Sequence, residues 1–285
     1  QSFNLYTYSS KSKVLSIMAS FGSSRPPVKN RVVIVTGGAN GIGAAICEQF
    51  IKDEGAIVVC GDIVETELEE DLMNKYDDCT FVFIRTDCGK KEDCENLVRL
   101  AFETFGRVDV LVNNVGVQFD DGTPIHELEE DVWDKVLDIN LKSYYRCSKH
   151  CIPHMLKNDS GGAIINIASV QGLQSQPGIP AYASTKGAIL SLTRQMGVEY
   201  AAQNIRVNAV CPGTIETPLV RNLIMSRGKK VEDAGIPYPM KRIGKPCEVA
   251  HAVLFLASDR ASFITGTSLT VDGGIMALGG WHSNA

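Results

Sequence analysis

Val32-Val33-Ile34-Val35-Thr36-Gly37-Gly38-Ala39-Asn40-Gly41-Ile42-Gly43 runs from β-branched residues through a cluster of glycines into a helical pattern. Four successive β-branched residues favour a strand, and their unbroken apolarity suits one buried on both faces. The glycines let the chain turn tightly and bring its backbone close to a bound group. The helix that follows offers free N–H groups and the positive end of its dipole. A glycine-rich turn alone can be no more than a capping loop. Set between a first strand and a first helix, it predicts a cradle for a dinucleotide pyrophosphate, built from Gly37, Asn40, Gly41, Ile42 and Gly43.

Outward from this turn, short apolar runs alternate with amphipathic stretches. Strands are expected at Val32–Val35, Ala56–Cys60, Thr80–Ile84, Val108–Val112, Ala163–Ile167, Arg206–Val210 and Ser268–Val271. Helices are expected after Gly41 and over Thr66–Tyr76, Glu92–Phe105, Glu129–Leu156, Tyr182–Ala202 and Pro246–Ala257. This rhythm predicts one doubly wound α/β domain over residues 30–274, a Rossmann-like parallel sheet of about seven strands with helices on both faces. Thr214–Met240 breaks the pattern and reads as an excursion over the carboxyl edge of the sheet. Residues 275–285 read as a C-terminal tail.

The composition supports a full core: of 285 residues, 44% are hydrophobic and 21% charged. A net charge of −5 and the absence of basic clusters argue against a nucleic-acid partner or an anionic membrane surface, and no apolar run is long enough to span a bilayer. The nine cysteines, odd in number and set in apolar segments, read as reduced thiols in a cytoplasmic protein. Cys147, His150, Cys151 and His154 share a helical face, but one helix converges four ligands poorly, so no metal site is assigned. Residues 1–29, rich in Ser and free of acidic side chains, read as a flexible extension, with mitochondrial or plastid import as the alternative.

Asp62 lies 19 residues beyond Gly43, at the end of the second strand and followed by Ile63. A carboxylate there can accept hydrogen bonds from the adenosine ribose hydroxyls and repels a 2′-phosphate. With no Lys or Arg in the glycine turn or just after Asp62, NAD is expected over NADP. Farther along, Tyr182 and Lys186 stand at i and i+4 on one helical face. A free phenol is a poor base at neutral pH. A neighbouring ammonium favours the phenolate, so Lys186 is expected to lower the phenol into a working range. Ser169, 13 residues before Tyr182, is placed at the end of the fifth strand, where open α/β sheets bind ligands.

The glycine turn, Asn113-Asn114-Val115-Gly116, Ser169, Tyr182-x-x-x-Lys186 and Pro212-Gly213 together, from about residue 30 to 274, resemble the short-chain dehydrogenase/reductase family. Ala181–Ala188 with Asp62 is similar to NAD-dependent hydroxysteroid dehydrogenases, and also to glucose and cyclic-alcohol dehydrogenases. The resemblance implies a catalytic tetrad of Asn140, Ser169, Tyr182 and Lys186. Tyr182 would carry the proton as hydride moves between a secondary alcohol or ketone and the nicotinamide. Ser169 would orient the substrate oxygen, Lys186 would also hold the nicotinamide ribose, and Asn140 would hold a water between Lys186 and solvent; its plainer alternative is a helix-kink residue.

The same resemblance implies that Asp87 and Cys88 flank the adenine and that Asn114, Val115 and Gly116 line the cofactor cleft. Pro212, Gly213, Ile215 and Thr217 would face the nicotinamide carboxamide. Val115 stands where the family usually has Ala, and Cys88 where it has Val; both keep a small apolar volume and bear on affinity. A homotetramer or homodimer is implied, with the helices over Glu129–Leu156 and Tyr182–Ala202 at one interface. Few fixed charges among Val117, Gln118, Gln171, Gly172, Gln174 and Gly178 favour a neutral hydrophobic substrate, steroid-, retinoid- or terpenoid-like. The alternatives are an NADPH-dependent carbonyl or 3-oxoacyl reductase and, in another class, an inactive NAD-sensing scaffold.

Overall fold

The computed structural model describes residues 30–63, 76, 80–120, 122–228 and 230–278. The expected N-terminal extension, all but Tyr76 of the expected helix Thr66–Tyr76, and residues 279–285 of the tail lie outside them. Seven parallel strands form one sheet: β1 (Val32–Thr36), β2 (Ile57–Asp62), β3 (Phe81–Arg85), β4 (Val110–Asn113), β5 (Gly162–Ile167), β6 (Ile205–Pro212) and β7 (Ser268–Val271), in the order β3-β2-β1-β4-β5-β6-β7. Among the described residues the α-helices are α1 (Gly41–Glu54), α2 (Lys91–Phe105), α3 (Glu130–Leu137), α4 (Ser143–Met155), α5 (Pro180–Glu199), α6 (Pro218–Ser226) and α7 (Pro246–Ala257). The Rossmann-like fold expected from the alternation is present.

Strand periodicity divides the core in two. Val33 and Val35 of β1 point to one face, among Ile46 and Phe50 of α1 and Val253 of α7. Val32 and Ile34 point to the other, among Leu97 and Val98 of α2 and Cys147 and Cys151 of α4. The two cysteines from the helical Cys/His face are thus core side chains, and His154 stacks on Phe102 with ring centroids 3.9 Å apart. No described helix is long and apolar enough to cross a membrane.

Strand β1 pairs with β2 on one side and β4 on the other, Val33 opposite both Val58 and Val110. The chain therefore winds outward in both directions from β1 and β4. The carboxyl ends of these strands open the crevice where such sheets take their ligands.

Two sequence expectations change in detail. The single helix expected over Glu129–Leu156 is interrupted by a π-helical turn at Asp138–Lys142, which carries Asn140. Such one-turn insertions often mark functional sites. The excursion Thr214–Met240 contains α6 and a 3₁₀ turn at Glu232–Gly235. Its start is tied down where the Tyr238 hydroxyl donates to Thr214 Oγ1 at 2.7 Å.

Candidate active site

The glycine turn is shaped by close approaches that side chains would block. A Cβ on Gly43 would lie 2.0 Å from the Gly37 carbonyl oxygen, and one on Gly37, at φ +65°, would lie 2.9 Å from Val115 Cα. Asn40 makes no side-chain capping bond to α1, which leaves first-turn N–H groups directed at the turn. These features fit a pyrophosphate. Thr217 closes the far side: its methyl carbon would sit 2.9 Å from a Cβ on Gly41.

Asp62 is fixed beside this turn. Its Oδ2 accepts the Ala39 N–H at 3.0 Å and its Oδ1 accepts the Ile63 N–H at 2.7 Å. The carboxylate is thereby held at the mouth of the glycine turn, and the Ile63 side chain is exposed next to it.

The remaining cofactor-side expectations divide. The Asn114 side chain donates to the carbonyls of Thr36 at 3.0 Å and Gly37 at 2.8 Å, so it shapes the turn from behind. Asp87 Oδ1 accepts the Gly89 N–H at 3.0 Å, beside an ion pair of Asp87 with Lys90. Cys88 is buried and its carbonyl accepts from the Cys94 thiol at 3.4 Å, so the Asp87 side chain is the more accessible of the pair. Ile215 is buried in the core, bridged through its backbone to Gly244. Thr217 Oγ1 accepts the Val220 N–H at 3.2 Å and caps α6. Pro212 and Gly213 close β6, where the Gly213 N–H donates to the Val271 carbonyl at 3.0 Å.

The four residues expected to carry the chemistry come together at the same edge. Ser169 lies two residues past β5, in the cap of a 3₁₀ turn, where its hydroxyl accepts the Gln171 N–H at 3.1 Å. Its hydroxyl is the neighbour that favours the Tyr182 phenolate. Lys186, one turn farther along α5, donates from Nζ to the Ile167 carbonyl at 2.8 Å, and its Nζ lies 5.6 Å from the Tyr182 ring centroid. A Cβ on Gly116 would sit 3.3 Å from Lys186 Nζ and 3.8 Å from Asn140 Oδ1, so these groups surround one glycine.

Asn140 spends its amide on another segment's backbone. Oδ1 accepts the Val117 N–H and Nδ2 donates to the Val117 carbonyl, each at 2.8 Å, while Nδ2 also reaches Thr185 Oγ1 at 3.3 Å. It occupies the helix irregularity, as its plainer alternative held, but the backbone it satisfies is that of the β4 loop.

The electrostatics depart from expectation. Burial raises the Tyr182 phenol above its ordinary value; the Ser169 hydrogen bond works against that, and the Asp120 charge adds to it. Lys186 is shifted as well, because its own burial penalises the ammonium. That penalty lowers Lys186 to about 8, against a smaller opposing effect of Cys211.

Asp120 escaped the sequence reading. It is fully buried in the loop after β4, and its Oδ2 accepts the Tyr182 N–H at 3.0 Å. The available signal was indirect: Ile179, the residue at the cap of α5, has no acceptor, so the helix needed one from elsewhere.

A family model described as enoyl-(acyl carrier protein) reductase matches residues 37–276. The 3-oxoacyl-[acyl-carrier-protein] reductase FabG of Thermotoga maritima is 38% identical over 255 residues, 87% of this chain and 99% of that protein. The 3beta-hydroxysteroid dehydrogenase 2 of Eggerthella lenta is 35% identical over 252 residues, 87% of this chain and 96% of that one. Among solved structures, ElxO with NADP bound superposes with a TM-score of 0.80 at 33% identity, covering 87% of this chain and 100% of ElxO. Alike in sequence to oxidoreductases of alcohol and ketone groups and alike in fold to one holding a nicotinamide cofactor, the chain belongs to the short-chain dehydrogenase/reductase family.

Proposed function

We propose that the chain is an NAD(H)-dependent oxidoreductase of secondary alcohols and ketones with Tyr182 as its acid/base. The observation that carries this reading is the meeting of Ser169, Tyr182 and Lys186 at the carboxyl edge of the sheet, with Lys186 Nζ 5.6 Å from the Tyr182 ring centroid and bonded to the Ile167 carbonyl two residues before Ser169. The glycine turn, the first turn of α1 and Asp62 would hold the dinucleotide. Its nicotinamide, when bound, supplies or accepts the hydride. Ser169 orients the substrate oxygen and Tyr182 gives or takes the proton at that oxygen, depending on direction. Lys186 holds a positive charge beside the phenol and Asn140 fixes the loop that walls the cleft.

The phenol, raised by burial, is neutral at pH 7, which suits it as the proton donor in ketone reduction. NAD is favoured by Asp62, whose carboxylate would lie against a 2′-phosphate. A neutral hydrophobic substrate is favoured by the exposed apolar side chains Leu219, Leu223, Met225, Ile236 and Met240 on the excursion after β6, with Leu173 beyond Ser169. The NADP-bound neighbour and the acyl-carrier reductase relative favour a second reading, an NADPH-dependent 3-oxoacyl reductase.

A panel of secondary alcohols, hydroxysteroids included, assayed with each cofactor by absorbance near 340 nm separates these readings. We expect turnover with NAD on apolar cyclic alcohols, and a loss of about 10²–10⁴-fold in Tyr182→Phe with cofactor binding retained. Equal turnover by Tyr182→Phe would remove the mechanism. Turnover confined to NADPH and acyl thioesters would establish the second reading.

A further inference from the structure

Helix α5 carries both Tyr182 and Lys186, yet its own sequence does not secure its start. Ile179 at the cap has no side-chain acceptor, and Pro180 follows it. The missing acceptor arrives from 62 residues away in the chain, where Asp120 Oδ2 takes the Tyr182 N–H at 3.0 Å. The Asp120 loop is fastened at both ends. Asn140 holds the backbone of Val117 through two bonds of 2.8 Å. The Gly122 N–H donates to the Gly178 carbonyl at 2.9 Å, and a Cβ on Gly178 would lie 2.8 Å from Gly122 Cα. The loop is thus a strap between the π-helical turn and the start of α5.

Stability alone gives no reason for a carboxylate at this point. Asp120 is fully buried, and among the described residues its Oδ1 has no hydrogen-bond partner. A buried acceptor left unpaired costs stability, more so when charged. An amide would cap the helix without that charge.

We propose, on the reading of Tyr182 as the acid/base, that Asp120 is a positioning residue for proton transfer: its carboxylate anchors the first turn of α5 and so fixes the phenol against Ser169. Its charge has a separate consequence. Among the described residues, the groups facing the phenol are Ser169 from the β5 loop, Lys186 on α5, Tyr144 on α4 and Asp120 from the β4 loop. Asp120 is the only carboxylate among them, and it opposes the phenolate.

Two variants separate anchoring from charge. Asp120→Asn keeps the volume and an acceptor for the Tyr182 N–H but removes the charge, whereas Asp120→Ala removes both. Each is compared with wild type and Tyr182→Phe by the pH profile of alcohol oxidation, by cofactor binding from quenching of intrinsic fluorescence, and by thermal melting. Asp120→Asn is expected to move the rising limb of the profile to lower pH. Asp120→Ala is expected to lower kcat by roughly 10- to 100-fold with cofactor affinity within a few-fold of wild type, as misplacement of a reacting group does.

The proposal is overturned if Tyr182→Phe is inactive while folded Asp120→Ala keeps wild-type kcat and Asp120→Asn keeps the wild-type profile. Should Asp120→Ala fail to fold, the near-isosteric Asp120→Asn decides by its profile alone. Activity retained in Tyr182→Phe overturns the acid/base reading itself, and this proposal with it.

Discussion

Tyr182, partly buried, and Lys186, buried, are shifted by desolvation in opposite directions, the phenol up and the ammonium down to about 8. Ketone reduction needs the neutral phenol, which persists through neutral pH, and the Lys186 charge, which is lost above about pH 8. Alcohol oxidation needs the phenolate, whose population grows with pH. On the proposed mechanism the reduction profile of kcat/KM should therefore be flat at neutral pH and fall above about pH 8, while oxidation climbs with pH up to about 8 and levels beyond it, where the Lys186 charge is lost. Parallel profiles in the two directions would contradict the roles given to this pair. Asp62 permits a second test at this scale. Replacing it with Ser removes the carboxylate from the mouth of the glycine turn, so the NAD-to-NADP ratio of kcat/KM should fall at least about tenfold, the equivalent of about 1.4 kcal/mol. An unchanged ratio would assign cofactor choice to other residues.

Elements place these side chains, and the glycine turn between β1 and α1 is the most constrained of them. A methyl group at Gly43 would lie 2.0 Å from the Gly37 oxygen, a backbone atom that cannot rotate away. Gly43→Ala should cost on the order of 1–3 kcal/mol, a fall of about 2–10 °C in Tm, together with loss of cofactor affinity. A variant that melts and binds like wild type would mean that the turn has room it does not show. This turn, the seven strands and the Tyr182–Lys186 helix were legible because each rests on local chemistry: β-branched runs, glycines at a tight approach, an i, i+4 pair. What the sequence concealed depends on partners far along the chain. Nothing in the spacing pairs the Asn140 amide with the Val117 backbone, 23 residues away. Asp120 carried no local pattern, and the rise of the Tyr182 phenol follows from burial that spacing cannot express. The π-helical turn at Asp138–Lys142 was likewise hidden, since one inserted residue leaves the apolar pattern of α3 and α4 almost intact.

On the scale of the whole molecule, the sheet formed by the described residues ends on one side in β7, which among them pairs only with β6 and whose residues Ser268, Leu269 and Thr270 are exposed. Nearby, Thr265 Oγ1 donates to the Gly197 carbonyl at 3.4 Å, which brings the fully exposed Phe263 and the exposed Val198 of α5 to the same flank. Phe255 on α7 is exposed as well. An open edge strand beside unshielded aromatic and aliphatic side chains is a template for association, and soluble chains cover such edges. The family resemblance led us to expect an interface on the helices over Glu129–Leu156 and Tyr182–Ala202, and Tyr145 and Leu156 of that face are also exposed. Two such surfaces on one subunit would give a dimer of dimers with closed symmetry. Light scattering of purified protein should therefore report about four times the 30.9 kDa chain mass, and Phe263→Asp should reduce it toward half by opening the β7 contact while leaving the other face joined. A wild type that runs as a monomer at micromolar concentration would reject both interfaces, and a tetramer unaffected by Phe263→Asp would reject the one at β7.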